Sequence, residues 1–271
     1  MIWAVVFFGF AHAFVKWLPH LPFYQLAFLR QMIALVLCVV PLQRMHISVW
    51  GNNKKLLIAR GLAGSLALTA YFYSLQSMPL ASAVTIQYLS PILTLILAHF
   101  LLNEKTTWRQ FALFVLGFAG VLMVRGFDSR ISDLALAVSL FSVVMSALAY
   151  TSVRALRGND HQLVIVFYFS FVSLPLIGPV ALYNWVAPSF EDTLIILAIG
   201  VLTWLAQVAM TLSYKVSPAS EVAIYNNLGL FMALILGYFF FDETFNLQTL
   251  IGMAIIFISV ILSSKKLATR V

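Results

Sequence analysis

The chain reads as ten apolar runs, each about as long as a bilayer is thick, separated by short polar breaks. The runs cover residues 1–18, 22–43, 56–77, 79–102, 107–125, 131–153, 162–185, 192–214, 218–241 and 245–264. A helix needs about 20 apolar residues to cross a hydrocarbon core of about 30 Å. Inside lipid, only helices and closed barrels satisfy their own backbone groups. Barrel strands alternate apolar and polar residues over about ten positions, whereas these runs are continuously apolar over twice that length, so a barrel is excluded. The breaks are polar or turn-forming, as in Pro19-His20-Leu21-Pro22, Gly51-Asn52-Asn53 and Gly158-Asn159-Asp160, and none is long enough for a soluble domain. Composition agrees. Only 9% of residues are charged and 62% are hydrophobic, against about 25% charged in soluble domains. A soluble enzyme, a disulfide scaffold and a disordered chain are all excluded. The single Cys38 permits neither a disulfide nor a cysteine-based metal framework.

The first run has no basic segment before it and leads straight into further spans, so it is expected to persist as a helix rather than act as a signal peptide. Orientation follows from Lys and Arg. With both termini cytoplasmic, that side receives Arg44, Lys54, Lys55, Lys105, Arg109, Arg154, Arg157, Lys215, Lys265, Lys266 and Arg270. The opposite side receives Arg125 and Arg130, while Lys16, Arg30 and Arg60 fall within helices. Cytoplasmic loops collect Lys and Arg, so this bias predicts a multi-pass protein of the cytoplasmic (inner) membrane. The net charge of +7 is then a matter of lipid sidedness, and no nucleic-acid partner is expected.

The chain also matches itself at an offset of 139 residues. Pro79 aligns with Pro218 and Glu104 with Glu243, flanking a run of equal length. Without a gap, Gly61 meets Gly200, Leu66-Ala67 meets Leu205-Ala206, Ala70 meets Ala209, Ser74 meets Ser213, and Leu95-Ile96-Leu97 meets Leu234-Ile235-Leu236. Five helices per copy insert the second copy upside down. The expected fold is therefore an all-α polytopic membrane protein of ten transmembrane helices in two inverted five-helix repeats, 1–125 and 131–264, with 265–271 a cytoplasmic tail. Inverted repeats give two states of similar energy, open to opposite sides around a site near the midplane. That is carrier architecture.

Several stretches resemble EamA-type members of the drug/metabolite transporter superfamily. They are Phe8-Gly9 to Lys16, Leu26-Ala27-Phe28-Leu29-Arg30, Arg60-Gly61 through Tyr71-Phe72-Tyr73-Ser74-Leu75, Pro79-Leu80-Ala81-Ser82-Ala83, Ser90-Pro91 and Leu102-Asn103-Glu104-Lys105. Ser217-Pro218-Ala219-Ser220 through Asp242-Glu243 is similar to the family's C-terminal half. The resemblance covers nearly the whole chain and implies ten helices, cytoplasmic termini and alternating-access transport of a small organic solute. Its motifs lie in the scaffold and name no substrate. Glu221 departs from the pattern, since such proteins more often carry an apolar or small residue there.

Ionisable groups within spans are costly and raise a functional hypothesis by default. Lys16 and Arg60, near helix ends, are expected to snorkel to the headgroups. Arg30 lies about 12 Å into its helix and needs an internal acceptor, as a structural clamp, a gate or a contact to a substrate anion. Glu221 sits in the first turn after Pro218, where a carboxylate suits the helix dipole or serves as a protonatable group coupling transport to H⁺. Glu104 and Glu243, in matched places, are expected to be structural. The pocket candidates are polar and aromatic: Gln87 and Tyr88, their repeat mates Asn226 and Asn227, and Tyr71, Tyr150, Trp204 and Gln207. The two pairs precede their helix centres by about three residues, which places them about 10 Å apart across the midplane. Pro91 removes the amide that would bond the Gln87 carbonyl. Each of these residues has a plainer reading as a helix–helix hydrogen-bonding group. His12 and His99 make weaker claims.

Gly61–Gly64 and Gly117–Gly120 read as small-residue packing pairs rather than phosphate loops. No Walker sequence, catalytic-metal spacing or nucleophile–base pair is evident, so no catalytic residue, metal or cofactor is expected. The expected function is secondary transport of a small amphipathic metabolite, amino-acid-like or nucleoside-like, by a monomer or homodimer in the lipid bilayer. The alternatives are flipping of a lipid or lipid carrier and, further off, a membrane-embedded lipid-modifying enzyme.

Overall fold

A computed structural model of the chain describes residues 1–103, 108–156, 160–216 and 228–264; the side chains of 211, 212, 214–216 and 264 lie outside that description. Among the described residues every regular element is a helix: α1 (Ile2–Trp17), α2 (Phe23–Arg44), α3 (Lys54–Ser77), α4 (Leu80–Gln87), α5 (Leu89–Leu102), α6 (Trp108–Phe127), α7 (Asp133–Ala155), α8 (Gln162–Tyr183), α9 (Phe190–Val216), α10 (Leu228–Phe241) and α11 (Leu247–Ser264). Among the described residues, seven helical segments are long and apolar enough to cross a membrane, α4 and α5 counting together as Leu80–Leu102. Three more, Ile2–Trp17, Leu228–Phe241 and Leu247–Ser263, are apolar but shorter.

Local chemistry sets the helix ends. The first amides of a helix have no intrahelical acceptor, and polar side chains just before the helix commonly serve instead. Asn53 accepts from Leu56 N at 3.2 Å, Ser132 from Ala135 N at 3.1 Å and Asn246 from Thr249 N at 2.8 Å. Before α9, Ser189 and Asp192 cap reciprocally at 3.1 and 2.9 Å. Pro22 and Pro79 occupy the N-cap positions of α2 and α4. The span 79–102 is interrupted at Tyr88, which ends α4 and opens α5. This is where Pro91, lacking an N–H, removes a rung from the ladder.

Lipid offers helices no apolar reason to associate, so contacts rely on small residues and interhelical hydrogen bonds. A Cβ on Gly120 would lie 2.9 Å from the Gly252 carbonyl and one on Gly252 would lie 3.0 Å from the Gly120 carbonyl, so α6 and α11 touch backbone to backbone. Buried serines join α2, α3, α7 and α8. Ser139 donates to Ser74 at 2.7 Å, Ser142 to the Ala67 carbonyl at 2.9 Å, Gln31 to Ser173 at 3.0 Å, and Ser65 touches Ser173. Large apolar side chains cover the outside, Tyr183, Phe190 and Phe239 among them. Such a surface suits lipid rather than water. The helices pack as α1 on α9 and α10, α2 on α8 and α9, α3 on α7 and α8, α4 on α10, α5 on α7, and α6 on α11. A central space remains between them.

Candidate functional site

That space is a cavity of about 960 Å³, enough for an organic solute. Residues of α1 to α5 and α7 to α10 line it. One end is at Leu80; the other reaches Arg154, Asp160, His161 and Gln162. Aromatic rings of Phe8, Tyr71, Phe72, Tyr88, Tyr150 and Phe169 make up much of the wall, with His12, Gln87, Ser146, Thr203 and Gln207 as polar points.

Of the residues expected from the sequence, Tyr71, Gln87, Tyr88, Tyr150, Gln207 and Arg30 all border this cavity. Trp204 does not. It is half-buried in α9. Its neighbour Thr203 and then Gln207 and Met210, spaced along one helix face, border the cavity instead. Asn226, Asn227 and Glu221 lie outside the described residues, as does Glu104. Gln87 is engaged at both ends of its amide: it donates to Ser146 Oγ at 2.7 Å and accepts from Ser142 Oγ at 3.1 Å, fastening α4 to α7. The Tyr88 hydroxyl reaches over Gly229, where a Cβ would collide with it. Tyr71 meets His12 edge to face at 5.1 Å, with its hydroxyl 3.5 Å from His12 Nδ1.

Two expectations about charge are corrected. Arg60 does not snorkel. It is 8% exposed, borders the cavity, and holds its guanidinium carbon 4.4 Å from the Phe169 ring centroid. A cation over an aromatic face is favoured when desolvated. Gly64, one turn further along α3, leaves the room this requires, since a Cβ there would overlap the Arg60 guanidinium. Lys16 does not reach for headgroups either. Its ammonium donates to the Met78 carbonyl at 2.6 Å and pairs with Glu243 Oε1 at 3.0 Å. The same Glu243 oxygen accepts from Leu80 N at 2.7 Å. One carboxylate thus joins α1, the start of α4 and the end of α10, beside the Leu80 end of the cavity.

Arg30 finds the internal acceptor its depth demands. Its Nε donates to Thr203 Oγ1 at 3.0 Å, and its guanidinium carbon lies 5.9 Å from the Phe169 ring and 6.0 Å from Phe72. Sequence reasoning gave Arg60 and His12 too little weight and passed over Phe169, Thr203 and Ser146. The available signal was the Arg60–Gly64 spacing, which places a bare turn beside a long cation. Among the described residues no cluster of His, Cys, Asp or Glu could hold a metal ion.

Known proteins share this architecture. The model of the EamA-like transporter family matches residues 1–126 and again 133–265. The chain is 28% identical over 247 residues to the pseudopaline exporter CntI of Pseudomonas aeruginosa, covering 90% of this chain and 87% of that one. It is 27% identical over 217 residues to an S-adenosylmethionine uptake transporter of Rickettsia prowazekii, covering 77% and 72%. A solved crystal structure superposes with a TM-score of 0.64 at 18% identity, covering 99% of this chain and 96% of the other; that likeness is one of fold. Two matches to one family model, together spanning almost the whole chain, make this polytopic membrane protein a member of the EamA-like transporter family, a small-molecule transporter rather than an enzyme.

Proposed function

We propose that the protein is a secondary transporter of a small organic metabolite in the cytoplasmic membrane. It works by alternating access between two inverted five-helix repeats, 1–125 and 131–264. The observation that carries this reading is the cavity, large enough for a solute, with its two ends unlike each other. At one end Lys16, Glu243 and Leu80 N lock three helices together. The other end reaches Arg154 and Asp160, on the side that the Lys/Arg bias assigns to the cytoplasm. The structure is read as the inward-facing state.

Inverted symmetry has support beyond the sequence offset. Gly61 of α3 packs on Val172 of α8, and Gly200 of α9 packs on Ile33 of α2. Both partners in the second contact are displaced from the first by the same 139 residues, with the repeats exchanged. Asn103 and Asp242, also repeat mates, both adopt left-handed backbone, with φ of 54° and 50°, as their helices end. Exchanging the repeats converts α1–α9 packing into α3–α7, α2–α9 into α3–α8, and α1–α10 into α5–α7. The α2–α8 and α6–α11 contacts map onto themselves.

Proteoliposomes loaded with a bacterial metabolite extract test the reading. Particular solutes are expected to leave the vesicles, identified by mass spectrometry, and Gln87→Ala and Asn226→Ala proteins that still fold should lose most of that flux. Release no faster than from protein-free vesicles, or scrambling of labelled phospholipid in its place, would overturn it.

A further inference from the structure

We infer that Arg30 and Arg60 form an anion subsite in the cavity, for the carboxylate of an amphipathic organic solute. This rests on the transporter reading and names the substrate class of the same cavity.

The two side chains approach from different helices and share the Phe169 ring. Distances of 5.9 and 4.4 Å to one centroid keep the guanidinium carbons within about 10 Å of each other, close enough for two like charges to repel in a poorly screening medium. Burying one unpaired charge is expensive, and burying two together more so. Both are more than nine-tenths buried, at 4% and 8% exposure. Among the described residues, neither is paired with a carboxylate; the ion pairs present there are Lys16–Glu243, His20–Asp192, Arg125–Asp133 and Arg130–Asp128. Asp160, the one acidic residue among the described residues that line the cavity, accepts instead from the amides of Asn52 and Asn53. Each arginine also keeps a buried N–H with no acceptor among the described residues: Nη1 of Arg30 and Nε of Arg60.

Rings satisfy a guanidinium's faces but not its N–H groups. Thr203 serves Arg30 Nε, but Arg30 Nη1 and Arg60 Nε still lack an oxygen among the described residues, and a carboxylate fits a guanidinium's fork. Phosphate sites generally add a helix N-terminus or a glycine loop, whereas Arg30 and Arg60 lie inside their helices with aromatic rings as neighbours. The aromatic wall would take an apolar body attached to the carboxylate.

The test uses purified protein and matched probes: 3-phenylpropanoate and glutarate, their neutral amides 3-phenylpropanamide and glutaramide, and phenyl phosphate. A ligand that binds the folded state raises its apparent stability. The expected result is a saturable rise in Tm with at least one acid, at least tenfold weaker or absent with its amide. Arg60→Gln and Arg30→Gln should remove that difference, and Arg60→Lys, which keeps the charge, should restore part of it. A merely structural arginine would change the Tm of the unliganded protein and leave the acid–amide difference intact. The proposal is overturned if acids and amides act alike, if Arg60→Gln keeps the discrimination in folded protein, or if phenyl phosphate alone stabilises. Carboxylate binding that disappears with Arg60→Gln, in vesicles that show no flux of any solute, would leave the subsite standing and remove the transporter reading.

Discussion

Gly64 and Arg60 show how one absent methyl group can set the electrostatics of a site. A Cβ at Gly64 would occupy the place of the Arg60 guanidinium and come 2.9 Å from the Phe169 ring. Gly64→Ala should therefore push the cation off Phe169, while the helix itself gains up to about 1 kcal/mol from alanine's better propensity. The expected outcome is a folded protein of lower unliganded Tm, because the displaced cation and the crowded Phe169 ring outweigh the propensity gain, with carboxylate-over-amide discrimination reduced severalfold in thermal-shift titrations. Full discrimination in this variant would mean that Arg60 does not need its present seat. The same residues mark the limit of sequence reading. Composition shows that Arg60 sits in an apolar run; it does not show which way the side chain turns, and snorkelling is the default for a cation near a helix end. Trp204 fails for a related reason. Consecutive residues on a helix point about 100° apart, so Thr203 and Gln207 can border the cavity while Trp204 beside them faces elsewhere. Gln87, Tyr88 and Tyr71 were legible because a polar group within a span is least costly when it faces the interior.

At the scale of helices, the Glu243 junction is the contact most able to resist opening. Proline at position 79 leaves Leu80 as the first amide of α4, and Glu243 caps it while neutralising Lys16. A carboxylate there also suits the positive end of the helix dipole. The turn that delivers it is compact: Asp242 is left-handed, and Glu243 N bonds back to the carbonyl of Gly237, in the last turns of α10, at 3.0 Å. Glu243→Gln keeps an oxygen for the cap but strands a half-buried ammonium, and should cost about 2 kcal/mol. Adding Lys16→Met should recover most of the lost stability. If the junction also holds this end of the cavity shut, Glu243→Gln will raise labelling of Val84→Cys, which borders the cavity, by an impermeant maleimide applied from the outer face. Cys38→Ala provides the background for this assay, since Cys38 is the sole native thiol. Stability that falls without any change in labelling would make the junction a brace rather than a gate. The sequence reading anticipated a structural Glu243 from its match to Glu104, but not Lys16, because an ion pair 227 positions apart in the chain leaves no periodic trace.

For the whole molecule, the repeat makes a claim that the accessible ends of its helices can test. The apolar runs were legible because lipid leaves the chain few choices: each crossing must be a helix, so span positions follow from hydropathy and breaks. The arrangement of the spans around a cavity was not legible, since packing in lipid depends on where glycine and serine sit around each helix and not on their number. Inversion links the two levels. Asn52 and Glu191 differ by the repeat offset, and both stand exposed just before or at the start of equivalent helices, α3 and α9. In a parallel duplication they would emerge on the same side of the membrane; in an inverted one they must emerge on opposite sides. In a Cys38→Ala background, Glu191→Cys is expected to react with an impermeant maleimide in intact cells. Asn52→Cys should react only after the membrane is permeabilised, on the side where Lys54 and Lys55 place it. Reaction of both in intact cells would rule out the inversion, and with it the symmetry that lets one cavity be offered to two sides. Reaction as expected would mean that Gly61 on Val172 and Gly200 on Ile33 are one contact made twice, once from each face of the membrane.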